Sequence, residues 1–576
     1  MRGPFVAAVI SGMLAGGVGV SAGSAWSRTS SQASSPPMQA AAPVARFSSF
    51  TYEGDDGGPA PGVGQYRNPI LAGFYPDPAN TRVGEDYYLV TSTFAYFPGI
   101  PVFHSRDLVN WTQIGNAIDR PEQLDFGTLG LSRGVFAPTI THQDKTFYIL
   151  NTCVDCGGNF LITAADPAGP WSDPVWLPDL EGGIDPSLFF DDGGQAWILN
   201  NGPSEGEPQY EGHRAIWIQR FDPNTQKTYG PRTVLVNGGV DISQKPIWIE
   251  GPNLIHRNGW YYLVCAEGGT AEGHSQVVLR ARTPDGPYTA WDGNPILTQK
   301  GLPSDRPRPV TSAGHADLVQ TPDGDWWATF LAVRPYGPDQ YNTGRETFLM
   351  PVDWSGEWPR ITSPGEVLPE VATRPDLASP SILPAATTGP FRVVESFDGP
   401  LPPSWMMMRN PRQTWFDLSS TPGSLTLQAR AVDLGDNANP SFLARRQQHL
   451  NASAETVVDF APARDGDRAG LAALQSDDFW YFLALARDQG VTKIELRRRA
   501  GPSDEADGVI LAEAAPVVAG SVKLKVVARG ALYDFEYDAG AGWQTLAADV
   551  DGTILSTRTA GGFVGAVFGL HARSAR

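Results

Sequence analysis

The sequence predicts an all-β fold, a five-bladed β-propeller followed by a β-sandwich, and three observations carry that reading. Five short segments repeat a paired bulky signature: Tyr87-Tyr88-Leu89-Val90, Phe147-Tyr148-Ile149-Leu150, Ala196-Trp197-Ile198-Leu199, Tyr261-Tyr262-Leu263-Val264 and Trp326-Trp327-Ala328-Thr329. Each follows a polar turn such as Gly84-Glu85-Asp86 or Asp192-Gly193-Gly194, which marks a strand, a tight turn and a second strand. The signatures recur at about 50–65 residues, room for one four-stranded blade per repeat. From about Phe391, alternation returns without a blade period, as in Ser424-Leu425-Thr426-Leu427-Gln428 and Val522-Lys523-Leu524-Lys525-Val526-Val527, and this reads as a sandwich.

Bulk properties agree. A chain of 576 residues exceeds one core and suggests two or three domains of roughly 100–250 residues. Gly (63), Pro (50) and Trp (17) suit short strands, many turns and aromatic platforms for sugars. A net charge of −19 argues against nucleic acid, whose binding needs basic patches. No charge run fits a membrane anchor.

The expected order is a signal peptide over 1–25, a flexible leader over 26–66, the propeller over 67–360, a linker over 361–390 and the sandwich over 391–576. Met1-Arg2, the apolar Val6 to Val20 and the small Gly23-Ser24-Ala25 make the export signal, so a periplasmic or extracellular location is expected. The apolar run is short and glycine-laden for a transmembrane helix, the alternative reading. Six prolines and small residues mark the linker. Three cysteines cannot build a disulfide framework; Cys153 and Cys156 read as a local loop disulfide, and Cys265 as a buried strand residue.

Ten or eleven residues before the signatures stand Asp77, Phe136, Asp185, Glu250 and His315. The innermost strand of each blade lines the central channel, so these equivalent positions meet near one end of the axis. Asp-Pro and Glu-Gly-Pro alone are ordinary turn sequences. Five in register with a repeat point instead to a site, because clustering buried acids is costly unless chemistry or a cation rewards it.

With these residues assembled, the chain resembles glycoside hydrolase family 43, in its branch of β-xylosidases and α-L-arabinofuranosidases with a C-terminal β-sandwich. The resemblance spans about residues 67–570. It rests on Asn68-Pro69-Ile70-Leu71-Ala72-Gly73-Phe74-Tyr75-Pro76-Asp77-Pro78, the stretch Tyr87 to Phe94, Ala266-Glu267-Gly268-Gly269-Thr270, Gly314-His315-Ala316-Asp317-Leu318-Val319 and Gly344-Arg345-Glu346-Thr347-Phe348-Leu349. It implies an inverting hydrolase with Asp77 as general base, Glu250 as general acid and Asp185 as the residue that orients Glu250 and tunes its pKa. It implies a sugar pocket lined by His315 and Arg345, with Phe94 as an aromatic wall and a calcium ion on the axis near His315. Relatives usually carry Trp where Phe136 stands, which puts the sugar preference in question. A loop of the sandwich domain brings an aromatic to the pocket rim in relatives, and Gly561-Gly562-Phe563 is the candidate; a core role for Phe563 is the alternative.

Inversion requires acid and base on opposite faces of the sugar, roughly 6.5–9.5 Å apart. Asp77 on blade 1 and Glu250 on blade 4 are not neighbours in a ring of five and so face one another. Arg345 would balance the charge and hydrogen-bond a sugar hydroxyl or Asp77. The expected activity is exo-acting release of xylose from xylo-oligosaccharides. Alternatives are α-L-arabinofuranosidase or dual activity on arabinoxylan, and, in a different class, a non-catalytic sugar-binding propeller.

Overall fold

The computed structural model describes residues 43–180, 182–378, 387–514 and 520–576, so the expected signal segment lies outside it. Strands dominate, and among the described residues the sole α-helix is Thr557–Ala560. No described helix is long and apolar enough to cross a membrane.

Four of the five repeats fold as four-stranded antiparallel blades. Blade 1 comprises Ala79–Val83, Asp86–Val90, Gly99–Ser105 and Thr112–Ile118, paired in that order. Blade 2 runs Gly134–Gln143, Thr146–Val154, Gly158–Ala164 and Val175–Trp176, and blade 3 runs Ile184–Phe190, Ala196–Pro203, Arg214–Asp222 and Lys227–Asn237. Blade 4 has Glu250–Arg257, Trp260–Glu267 and Ser275–Ala281, with Thr289–Ala290 and Leu297–Thr298 sharing its outer edge. The bulky signatures form the second strand of each blade, where Leu89, Ile149, Ile198, Leu263 and Ala328 are buried.

Blade 5 has only Thr311–Gln320, Trp326–Val333 and Glu346–Val352. Its outer edge is completed by the segment that precedes blade 1. Ile70 and Leu71 donate to Thr347 O, Thr347 returns a bond to Leu71 O, and the Asn68 side chain brackets Leu349 with two more. Backbone groups at a sheet edge need partners, so the start of the propeller seals its own end. Hydrogen bonds cross every joint between blades. Ser92 Oγ accepts from Ala137 N–H, Thr139 donates to Pro186 O and Ser187 to Pro252 O. Gln276 and Ala316 exchange a pair, and Asn80 N–H donates to Asp317 Oδ2 at 2.7 Å.

The C-terminal domain packs two antiparallel sheets. One has six strands, from Phe442–Arg446 through Val567–Arg573, Arg468–Ser476, Phe479–Asp488 and Val491–Ala500 to Val509–Glu513. The other has eight, and its centre corrects the expected leader. Residues Val44–Gly54 form a strand that pairs along its length with Asn451–Phe460, and on its other side with Leu425–Gln428 and Phe391–Glu395. Ala45, Phe47, Phe50 and Tyr52 alternate into the core, each at most 1% exposed. The alternation was visible in the sequence; its partners, some 400 residues downstream, were not. Phe50 packs edge-on against Trp405 at 5.0 Å. Phe50→Ala should therefore lower stability by about 3–5 kcal/mol, the cost of a buried Phe truncation, as read by denaturant unfolding. An effect below about 1 kcal/mol would mean that the strand is dispensable.

The segment expected as a linker runs back over the propeller. Ile361 and Leu368 are buried beside blades 4 and 5, and Val371–Thr373 pairs with Gln65–Arg67. Residues 379–386 fall outside the described set.

Candidate active site

The five inner-strand positions share one backbone device. The residue at the top of each inner strand, or the one after it, has a positive φ: Asp77 (54°), Ala137 (33°), Asp185 (54°), Gly251 (56°) and His315 (52°). In blades 2 to 5 the ladder slips register at that point, as between Phe136 and Thr139 or between Glu250 and Asn253. A bulge of this kind bends a strand and re-aims its side chain. A proline follows in four of the five blades, where the interrupted ladder asks for no N–H.

The side chains so aimed converge on a cavity of about 620 Å³, lined by Asp77, Phe136, Asp185, Glu250, His315, Arg345 and Phe563 among others. Asp77 is 5% and Asp185 3% exposed, whereas Glu250 is half-buried. Both Asp77 oxygens are engaged: Ser92 Oγ donates to Oδ2 at 2.5 Å and Arg345 Nη1 to Oδ1 at 3.1 Å. Burial alone would raise the Asp77 pKa, but the Arg345 cation, the neighbouring His315 and the Ser92 hydroxyl together outweigh it and hold the carboxyl below its ordinary value. Glu250 moves the other way. Burial and then the Asp77 charge push it up to about 7, against the opposing pull of Arg345 and Arg214.

Asp185 accepts from Gly251 N–H at 3.1 Å, a bond that fixes the backbone beside Glu250. Its own pKa is driven well above the usual range by burial, then by Glu250 and Asp77. Glu250 and Asp185 repel one another, and Asp185 also fixes the backbone beside the acid through Gly251. His315 lines the cavity with its ring against Gly251, where a Cβ would stand 2.9 Å from it. Burial lowers its pKa, so the imidazole is neutral at pH 7.

One wall of the site is aromatic and draws on both domains. Phe563 reaches the propeller from the sandwich domain. Its N–H donates to Ser132 Oγ at 2.8 Å, and Gly562 precedes it at φ 73° where a Cβ would strike that hydroxyl. Close approach of Gly344 and Gly565 brings the propeller and sandwich backbones together nearby. The Phe563 ring stands 5.5 Å from Phe136, and Arg345 lies 5.3 Å over it. Phe94 departs from expectation: it is 1% exposed and stands behind the other two, stacked on Phe563 at 6.0 Å and edge-on to Phe136 at 5.3 Å. It buttresses the wall rather than forming its surface.

Sequence reasoning missed Ser92, Arg133, Arg214, Ile247 and Trp248. Ser92 lies within the stretch that carries the resemblance, yet a serine has no pattern that marks it as a carboxylate partner. Trp248 stands two residues before Glu250, and that nearness was the available signal. Cys153 and Cys156 form the expected disulfide, and Cys265 is buried in blade 4.

Carboxyls held at different protonation levels, facing an aromatic-walled cavity, suit acid–base cleavage of a glycosidic bond, and the class this defines is a propeller glycoside hydrolase. The chain belongs to glycosyl hydrolases family 43, whose family model matches residues 66–359. Residues 394–576 match the beta xylosidase C-terminal concanavalin A-like domain. A xylosidase/arabinosidase of Butyrivibrio fibrisolvens is 36% identical over 508 residues, covering 88% of this chain and 95% of that protein. A non-reducing end alpha-L-arabinofuranosidase of Bacteroides ovatus is 36% identical over 514 residues, 88% of this chain and 91% of the relative. Among solved structures, a GH43_12 protein retrieved from a capybara gut metagenome superposes with TM-score 0.85 at 37% identity, covering 92% of this chain and all of that one. A xylan beta-1,4-xylosidase from Bacillus halodurans gives 0.78 at 30% identity, with 88% and 97% covered.

Proposed function

We propose that the protein is an exported, exo-acting pentosidase that releases xylose from the non-reducing end of xylo-oligosaccharides with inversion of configuration. The observation that carries this is the insertion of Phe563 into the carboxylate-lined cavity. A ring from the second domain narrows the space over Asp77 and Arg345 to a pocket, which suits a chain end better than the middle of a polymer. Asp77, ionised and paired with Arg345, takes a proton from water as the water oxygen attacks the anomeric carbon. Glu250 gives its proton to the departing glycosidic oxygen. The bond breaks with its electron pair on that oxygen, and the sugar leaves inverted. Asp185 holds the Glu250 backbone through Gly251, while neutral His315 and the Arg345 guanidinium offer hydrogen bonds to sugar hydroxyls.

Arabinofuranose is the second substrate this reading admits, because the relatives bear both xylosidase and arabinofuranosidase names. A purely sugar-binding role fits poorly with two buried carboxyls and a third half-buried beside them, held at a cost in desolvation. A calcium ion near His315 would be held mainly through water and backbone oxygens, since among the described residues no group of three His, Cys, Asp or Glu side chains could hold a metal. The cation facing Asp77 is Arg345. No step is routed through an ion.

A panel of p-nitrophenyl pentosides, followed by time-resolved NMR of the released sugar, tests the reading. Release of α-xylose from the β-xyloside, or of the β-anomer from the α-L-arabinofuranoside, is expected. A first product that retains the substrate configuration would refute the mechanism.

A further inference from the structure

Beside Glu250, a feature remains that the proposed chemistry leaves unused. The loop between Lys227–Asn237 and Glu250–Arg257 ends in Ile247-Trp248-Ile249, and its first two side chains line the cavity. Ile247 is 51% and Trp248 36% exposed, two large apolar groups facing solvent at the site. Their backbone is held firmly. Trp248 N–H donates to Gly212 O at 3.0 Å, and Ile247 O accepts from Gly268 and Gly269 at 2.9 and 3.1 Å. Tyr210 Oη donates to Pro246 O at 3.0 Å.

Trp248 itself sits at φ 46°, a conformation that bulky residues avoid and that persists where the surroundings impose it. Arg214 lies 4.8 Å over the indole and is anchored in turn by Asn201 Oδ1 at 3.0 and 2.7 Å and by Gly182 O at 2.6 Å. One face of the ring is thus backed by a fixed cation.

We propose that Trp248, supported by Ile247, is the leaving-group platform: an apolar surface for the uncharged sugar ring on the far side of the scissile bond. The inference rests on the pentosidase reading. The acid must touch the oxygen that departs, so the departing ring lies on the Glu250 side of the cavity, and Trp248 is two residues from Glu250. Phe136 and Phe563 wall the same cavity with Arg345 and Asp77, where the sugar to be released sits. Rigid aromatic anchors of this kind dominate recognition because they bury large area and lose little freedom. The platform makes this enzyme selective for saccharide leaving groups over small ones.

The test compares xylobiose with β-D-xylosyl fluoride, whose fluoride leaves no ring on the acid side. Trp248→Gly removes the indole and accepts the positive φ; Trp248→Phe keeps an aromatic face. The ratio of kcat/KM on xylobiose to that on the fluoride should fall about 10–100-fold in Trp248→Gly, chiefly through KM, and recover in Trp248→Phe. An unchanged ratio, with both substrates losing equally or neither losing, would overturn the platform and leave the pentosidase reading intact. A wild-type enzyme inert on both xylosyl and arabinofuranosyl fluorides would overturn that reading and the platform with it.

Discussion

Asp77→Asn should abolish turnover on every glycoside, whatever its leaving group. Asparagine has nearly the shape of aspartate: its oxygen can still accept from Arg345 while its amide N–H turns to donate to Ser92 Oγ, so the cavity keeps its form. What it loses is the capacity to take a proton from water. Without that step the attacking oxygen stays a poor nucleophile, and a better leaving group cannot compensate. The expected loss in kcat/KM is at least about 10²–10⁴-fold, the usual worth of a general base, on disaccharides and on activated aryl pentosides alike. Substantial residual activity on the aryl substrate would remove Asp77 from the role of base.

Glu250→Gln should behave differently, and the contrast separates the two roles. On xylobiose, whose leaving alkoxide needs a proton, the loss should again reach about 10²–10⁴-fold. On a dinitrophenyl pentoside, whose phenolate departs unaided, most activity should survive. The pH profile gives a second signature. As the proposed acid, Glu250 would work only when protonated, and burial with the Asp77 charge pushes its pKa up to about 7. Activity should therefore hold below that value and fall as pH rises through it. Asp77 works only when ionised and lies below its ordinary pKa, so the acidic limb should fall at lower pH than a free aspartate would give. In the glutamine variant, the alkaline limb near 7 should vanish from the aryl-substrate profile. If the limb persists there, another group sets it.

The ring of inner-strand residues was legible because a propeller repeats. Each blade is built to one plan, so Asp77, Asp185 and Glu250 could be placed by counting back from Tyr87, Ala196 and Tyr261. Blade 5 was legible in its inner and second strands; nothing local in Asn68 to Leu71 says that it closes the ring beside Thr347. The strand at Val44–Gly54 shows the same blindness from the other side. Its alternation is plain, but a strand declares which face is apolar and not which distant strand will pair with it. Phe94 and Phe563 illustrate the difference for side chains. Both are rings outside the named strands, and only packing puts one behind the wall and the other on it.

The amino-acid order by itself determined the blade count, the sandwich and the set of residues that meet on the axis, because all three follow from local alternation and a repeat. Tertiary structure alone decided the protonation states and the borders of the pocket. A carboxyl's pKa depends on burial and on charges brought in from far along the chain, as Arg345 is to Asp77 across 268 residues. The aromatic wall likewise forms only when the sandwich, folded separately in sequence, delivers Phe563 to the mouth of the propeller.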